Sequence, residues 1–200
     1  MDPQRLEHAL SLMNARNGGN ARERRETAAL WREHAHAAHY PAGSTIVHTG
    51  TRAQHAYLLV SGLVRGYYTS PDGQFFNKFF ALEGMFFGTP AAAFTRSTTR
   101  YAIEALQASD VLAMDLDTLD RLVKRHPALA RMLRQEIRFN FIDSEEREAV
   151  LLTRDTEGRY RWLQQRHPQL LQRVPGYHLA AYLGMTPVSL SRIKHMEAPQ

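Results

Sequence analysis

The sequence predicts an α+β fold in which a block of short strands gives way to helices, and three observations carry that prediction. Glycines punctuate short β-rich runs from Tyr40 to Asp115 and almost vanish after Leu116. Beyond that point the apolar period becomes helical, with a stretch over 128–154 that holds no breaker. The last quarter, Tyr177 to Lys194, spells two short helices joined by a glycine turn.

Residues 1–39 read as a polar helical leader. Leu6, Leu10 and Met13 recur at helical spacing, Asn17-Gly-Gly-Asn20 breaks the pattern, and an arginine- and alanine-rich second helix follows. Such a leader is expected to pack on something larger. Strands are predicted over 45–48, 56–61, 63–69, 75–81, 101–108 and 110–115. Asp72-Gly73 between aromatic-rich runs is a hairpin signal. Many short strands with turn signals at this spacing indicate a barrel or jelly roll over 40–126. A short helix over 116–126 ends at Pro127, and the long helix of 127–154 follows. Its apolar residues Leu129, Leu133, Ile137, Phe141, Val150 and Leu151 leave a polar interval from Asp143 to Glu148. The expectation is an intersubunit seam, against the alternative that the helix packs on its own barrel. Residues 155–175 are predicted as one more helix, with Tyr160, Leu163, Leu170 and Leu171 inward, opening a final domain over 155–200.

Within that final domain Leu179, Ala180 and Leu183 share a helical face, and Gly184 supplies the positive φ of a tight turn. Thr186 is a good N-cap and Pro187 fits the first helical position, where its missing N–H costs nothing. Leu190 and Ile193 form an inward apolar pair, which leaves Val188, Ser189, Arg192 and His195 facing outward. This is the grammar of a helix-turn-helix, and it points to double-stranded DNA as partner, against the plainer reading of a helical hairpin packed into a core.

Composition sets the outer limits. Two hundred residues can bury a core without staples. The chain has no cysteine, which excludes disulfides, thiolate metal sites and cysteine nucleophiles and fits a reducing cytoplasm. Its 25 Lys and Arg against 20 Asp and Glu give a net charge of +5, permissive of nucleic-acid binding without proving it. Only Lys78, Lys124 and Lys194 are lysines, so the positive charge is almost all arginine. No window approaches the ~18 apolar residues of a membrane span.

In their order these motifs resemble the Crp/Fnr family of bacterial transcription regulators, from Tyr40 to about Lys194. The residues that carry the likeness are Pro41, Gly43, Ile46 and Gly50, then Tyr57, Leu59, Gly62, Val64 and Arg65, then Asp72-Gly73, then Gly84-x-Phe86-Phe87-Gly88, and finally Leu190-Ser-Arg192-Ile193. The resemblance implies a double-stranded β-helix (jelly-roll) sensor domain of the cyclic-nucleotide-binding type, a long dimerisation helix and a winged-helix-like helix-turn-helix. It implies a homodimer, a target of two-fold repeated DNA with half-sites about one helical turn apart, and RNA polymerase as a further partner.

Departures from the family pattern sharpen these expectations. A cyclic-AMP binder of the family places Glu where this chain has Thr89, and Arg and Ser where it has Thr99 and Arg100. The phosphate's charge partner is thereby lost or moved by one residue, which on a strand means the opposite face. The sequence therefore predicts no cyclic-AMP binding and no resident cofactor, with another small molecule, or none, as effector. The effector region by resemblance comprises Gly84, Phe86, Phe87, Gly88, Thr89, Thr99 and Arg100, with Ser144 at the position of the long-helix hydroxyl that reaches a ligand. In the reader, Arg192 matches the family's base-reading arginine, and Thr186 and Ser189 match phosphate-bonding positions. Pro187 and Val188 replace charged residues, so the target sequence is expected to differ from the usual family palindrome, and Val188 can at most meet a thymine methyl. The family's terminal hairpin wing is mostly missing, which is expected to weaken DNA binding.

Other chemistry is declined. His34, His36, His39, His48 and His55 suggest a metal, but no Glu follows at cupin spacing and the first three fall in the predicted leader helix. No nucleophile elbow or phosphate-binding loop is present, and no catalytic set emerges. The expectation is a cytoplasmic regulator and not an enzyme. The alternative is a ligand-sensing or protein-interaction module whose helix-turn-helix no longer reads DNA specifically.

Overall fold

The computed structural model describes residues 1–197; residues 198–200, which close the segment 155–200, lie outside the described residues. The chain divides into two compact units, one of residues 1–66 and 81–139, the other of residues 67–80 and 140–200.

The first unit opens with α1 (Pro3–Asn17) and α2 (Ala21–His34). Both starts are locally encoded. Asp2 accepts from the Gln4 amide at 2.9 Å, and Asn20 and Glu23 form a reciprocal capping box at 3.0 and 3.1 Å. Helix ends at His34, and His36–Tyr40 is strand β1. The helical reading of 36–39 is thus corrected. This His- and Ala-rich run has no β-branched residue to announce a strand, but its backbone pairs antiparallel with β8 (Ser109–Asp115), His36 opposite Ala113 and Tyr40 opposite Ser109. Ladder formation outweighs local propensity here. His36 and His39 consequently sit on a strand, with the His36 ring 5.3 Å from that of His55.

One sheet has the order β1-β8-β3-β6, with β3 (His55–Ser61) and β6 (Phe86–Phe87). The other strands, β2 (Thr45–Val47), β4 (Val64–Thr69), β5 (Phe75–Ala81) and β7 (Ala102–Ala105), follow the order β2-β7-β4-β5. A short helix that the sequence reading missed, α3 (Pro90–Thr95), lies between β6 and β7. Helix α4 (Leu116–Arg125) is capped by Asp115, which accepts from the Thr118 amide. The long helix α5 (Pro127–Thr153) then leaves this unit for the next.

The leader is part of the core. Leu10 and Met13 of α1 and Trp31 of α2 join Leu58, Val60, Leu112, Met114 and Leu129 in one buried cluster. Each such side chain contributes about 1.5–3 kcal/mol on leaving water. Polar ties reinforce it: Arg16 pairs with the buried Glu136 at 3.2 Å, and His126 meets Glu26 at 2.9 Å.

At the β1–β8 pairing Asp110 bonds His39 at 2.8 Å and accepts from the Ser61 hydroxyl at 3.0 Å. The His39 bond, aided by Ser61, holds its carboxyl below the ordinary range. A carboxyl depressed in the folded state stabilises at pH above its unfolded value, and that stability is lost as pH falls through the folded value. Asp110→Asn is therefore expected to flatten the acid limb of a Tm-against-pH curve while leaving the neutral region nearly level. An unchanged acid limb would refute the assignment.

The second unit contains α6 (Thr156–Arg166), α7 (Pro168–Arg173), α8 (Gly176–Tyr182) and α9 (Pro187–Glu197). The single helix expected over 155–175 is two. Pro168 drives the preceding residue out of the α region, and His167 adopts φ −136°, ψ 53°. Tyr160, Leu163 and Leu170 are buried as expected, with Leu179, Ala180, Tyr182, Leu183, Leu190 and Ile193 completing the core. The hairpin segment 67–80 belongs to this unit; its turn closes through Ser70 N–H to Gln74 O at 2.9 Å, with Gly73 at φ +82°. Among the described residues no helix is long and apolar enough to cross a membrane.

Candidate functional site

Helices α8 and α9 form the hairpin that the sequence spells. Gly184 turns the chain at φ +62°. The Ser189 amide donates to Thr186 Oγ1 at 3.1 Å, and the two hydroxyls lie 2.9 Å apart. Thr186 is therefore the N-cap of α9, and its hydroxyl is engaged locally along with that of Ser189. Leu190 and Ile193 are buried beneath the helix, while Val188 is 62% exposed. Arg192 and His195 face solvent, and His195 Nδ1 bonds Ser191 O at 2.7 Å. A capped helix thus presents an arginine and an apolar methyl pair on its outer side.

Sequence reasoning missed the residue that braces this turn. Arg159 donates from Nη1 to Leu183 O and Gly184 O, both at 3.2 Å, and from Nη2 to Leu151 O at 2.8 Å. One guanidinium joins the end of α5 to the turn between α8 and α9, supplying donors to carbonyls that have no helical partner.

The effector residues expected in the first unit divide into two groups. Gly84 has φ +75°, and a Cβ there would stand 2.4 Å from Leu12 Cβ and 2.9 Å from Met13 N. Phe86 lies on Trp31 with ring centroids 4.9 Å apart. Both positions therefore serve the docking of α1 and α2. The second group runs from the end of β6 to the loop before β7. Phe87 stacks on Tyr57 at 4.9 Å and 11°, and burial pushes the Tyr57 hydroxyl up to about 12, with Tyr40 adding to the effect. Gly88 O accepts from the Tyr101 hydroxyl at 2.7 Å. Thr89 and Thr99 are 5% and 3% exposed, and Thr99 Oγ1 donates to Tyr101 O at 2.9 Å. Arg100 is exposed. Ser144 lies in the second unit, on an exposed face of α5. Among the described residues no group of three His, Asp or Glu side chains stands close enough to hold a metal ion.

A strand-built unit, a long helix and a helix-turn-helix hairpin follow one another in this chain. Residues 37–126 match the family described as cyclic nucleotide-binding domain. FixK2 from Bradyrhizobium japonicum is similar in structure at 22% identity, covering 81% of this chain and 83% of that one with a TM-score of 0.69. The c-di-GMP-responsive global regulator CLP of Xanthomonas campestris is similar at 20% identity, over 87% of this chain and 92% of that one, with a TM-score of 0.71. A Crp/Fnr-family transcriptional regulator from Thermus thermophilus is similar at 20% identity, over 82% and 86%, with a TM-score of 0.63. No curated protein matches the sequence. Residues 37–126 are thus similar to cyclic nucleotide-binding domains, and the chain shares its fold with these solved regulators.

Proposed function

We propose that this protein is a cytoplasmic, homodimeric, DNA-binding transcription regulator whose strand domain senses an effector other than cyclic AMP. The observation that carries the reading is the outward face of α9, where Arg192 stands on a helix fixed from below by Leu190 and Ile193 and capped by Thr186. An exposed arginine on such a helix can give two hydrogen bonds to a guanine edge in the major groove. The finer reading takes the two strand sets as a jelly roll and the C-terminal helices as a winged-helix-like unit. RNA polymerase is the further partner, and no step of the proposal needs an enzyme activity. Selection of sites from random duplex DNA across a salt series tests the reading: an enriched two-fold repeat supports it, and sequence-blind retention alone overturns it.

Dimerisation is proposed through α5, where Ile137, Phe141 and Leu152 are 46%, 66% and 77% exposed at near-helical spacing. Phe141→Glu is expected to weaken association by about tenfold or more, giving a monomer by light scattering at micromolar concentration with helix content retained. A wild-type monomer at that concentration would sink the dimer. The exclusion of cyclic AMP rests on Thr89 and Thr99 at the two positions where the family's binders carry their ribose and phosphate partners. Calorimetric titration checks it, with micromolar heats as the contrary outcome, and c-di-GMP serves as the second nucleotide in the same titration. Val188, apolar and exposed, favours a second reading in which α9 meets a protein surface.

A further inference from the structure

Within the second unit, α8 is held by two side chains that the helix-turn-helix grammar does not require. Arg147 of α5 donates to Tyr182 O from Nη2 at 2.7 Å and from Nε at 3.1 Å, and Nη2 also donates to Asn77 O at 2.9 Å. Its guanidinium lies 4.3 Å from the centre of the Tyr182 ring. Asn77 of β5 in turn donates from Nδ2 to His178 O at 2.7 Å, and its side chain is buried. Phe80 of the same strand meets Tyr182 at 5.4 Å.

The chemistry of these bonds is selective. Tyr182 O ends α8 and has no acceptor role left inside that helix. Strand β5 is last in the order β2-β7-β4-β5, and an edge carbonyl such as Asn77 O can take a donor from another element. One planar guanidinium serves both carbonyls at once, and its fork fixes the distance between strand and helix as well as their bonding. Asn77 adds a second bond one helical turn earlier. The result is that the support helix of the reader is bonded to the long helix and to the β4–β5 hairpin together.

We infer that Asn77 and Arg147 are positioning residues for DNA reading: they latch α8, and through it α9, to the β4–β5 hairpin and so set the half-site spacing that the dimer accepts. This rests on the reading of the protein as a dimeric DNA binder. Strands β4 and β5 both cross between the two units, so the hairpin that carries the latch is covalently continuous with the first unit.

The test uses the full-length protein and two variants, Asn77→Asp, which keeps the shape but cannot donate to His178 O, and Arg147→Lys, which keeps the charge but not the fork. Binding is measured to the selected two-fold repeat and to versions with one base pair added or removed between half-sites. Amide hydrogen exchange is followed without DNA. Wild-type protein is expected to prefer its own spacing by about tenfold, and each variant to keep no more than about a third of that preference. The amides of 176–183 are expected to exchange about tenfold faster in the variants, with those of α1 and β3 unchanged. Unchanged exchange in both variants overturns the latch. Faster exchange with an intact spacing preference overturns the positioning role. Should wild-type protein select no repeat, the regulator reading fails by itself, and exchange alone then decides the latch.

Discussion

Gly84→Ala is expected to lower stability by about 2–4 kcal/mol, through a positive φ that costs a non-glycine residue and through overpacking against α1. The added methyl would fall 2.4 Å from Leu12 Cβ and 3.0 Å from Ala9 O, and backbone cannot give way as a side-chain tip can. Gly43 supplies the control, because its φ of +80° is similar while nothing lies within 4 Å of its would-be Cβ. Gly43→Ala should therefore cost about 1 kcal/mol, the conformational part alone. Urea unfolding followed by far-ultraviolet dichroism separates the two. Equal midpoints for both variants would show that α1 does not rest on Gly84.

Arg192→Ala should cut affinity for the selected repeat by about 10- to 100-fold, the equivalent of one lost guanine contact in each half-site at a conservative ~1 kcal/mol or more apiece. Sequence-blind binding at low salt should fall much less, because the remaining arginines still meet phosphates. Helix content and the dimer should be unaffected, since Arg192 is exposed and the core below it is Leu190 and Ile193. Retention of full specific affinity would shift the weight to α9 as a protein-binding face centred on Val188.

The parts of the fold that sequence reasoning reached are those whose causes are local. Thr186, Pro187 and Gly184 act within one turn of themselves, so the helix-turn-helix could be placed to the residue. Strand β5 matched its expected span, 75–81, because the Asp72-Gly73 turn and the aromatic runs around it act together. Strand β1 was lost because its cause lies across the sheet at β8, and nothing in His36-Ala-Ala-His-Tyr40 announces that pairing. Residues 155–175 were over-extended because the helical spacing of apolar residues continues through Pro168, although that proline was itself the missed signal. Gly84 and Phe86 entered the effector group by resemblance, and only the folded chain reveals that residues some 50–75 positions earlier, in α1 and α2, lie on them. Arg147 and Arg159 left no trace in the pattern, since their partners are main-chain carbonyls, which every residue possesses.

The two tryptophans fall one to each unit. Trp31 is sealed against Phe86 in the first, and Trp162 stands 5.4 Å from the His167 ring and 6.3 Å from that of Tyr182 in the second. Nature has in effect placed a separate optical reporter in each half. A single Trp-to-Phe exchange leaves emission from only one of them, so the order in which the two units melt, or respond to an added compound, can be followed by eye on a fluorimeter trace without attaching any dye.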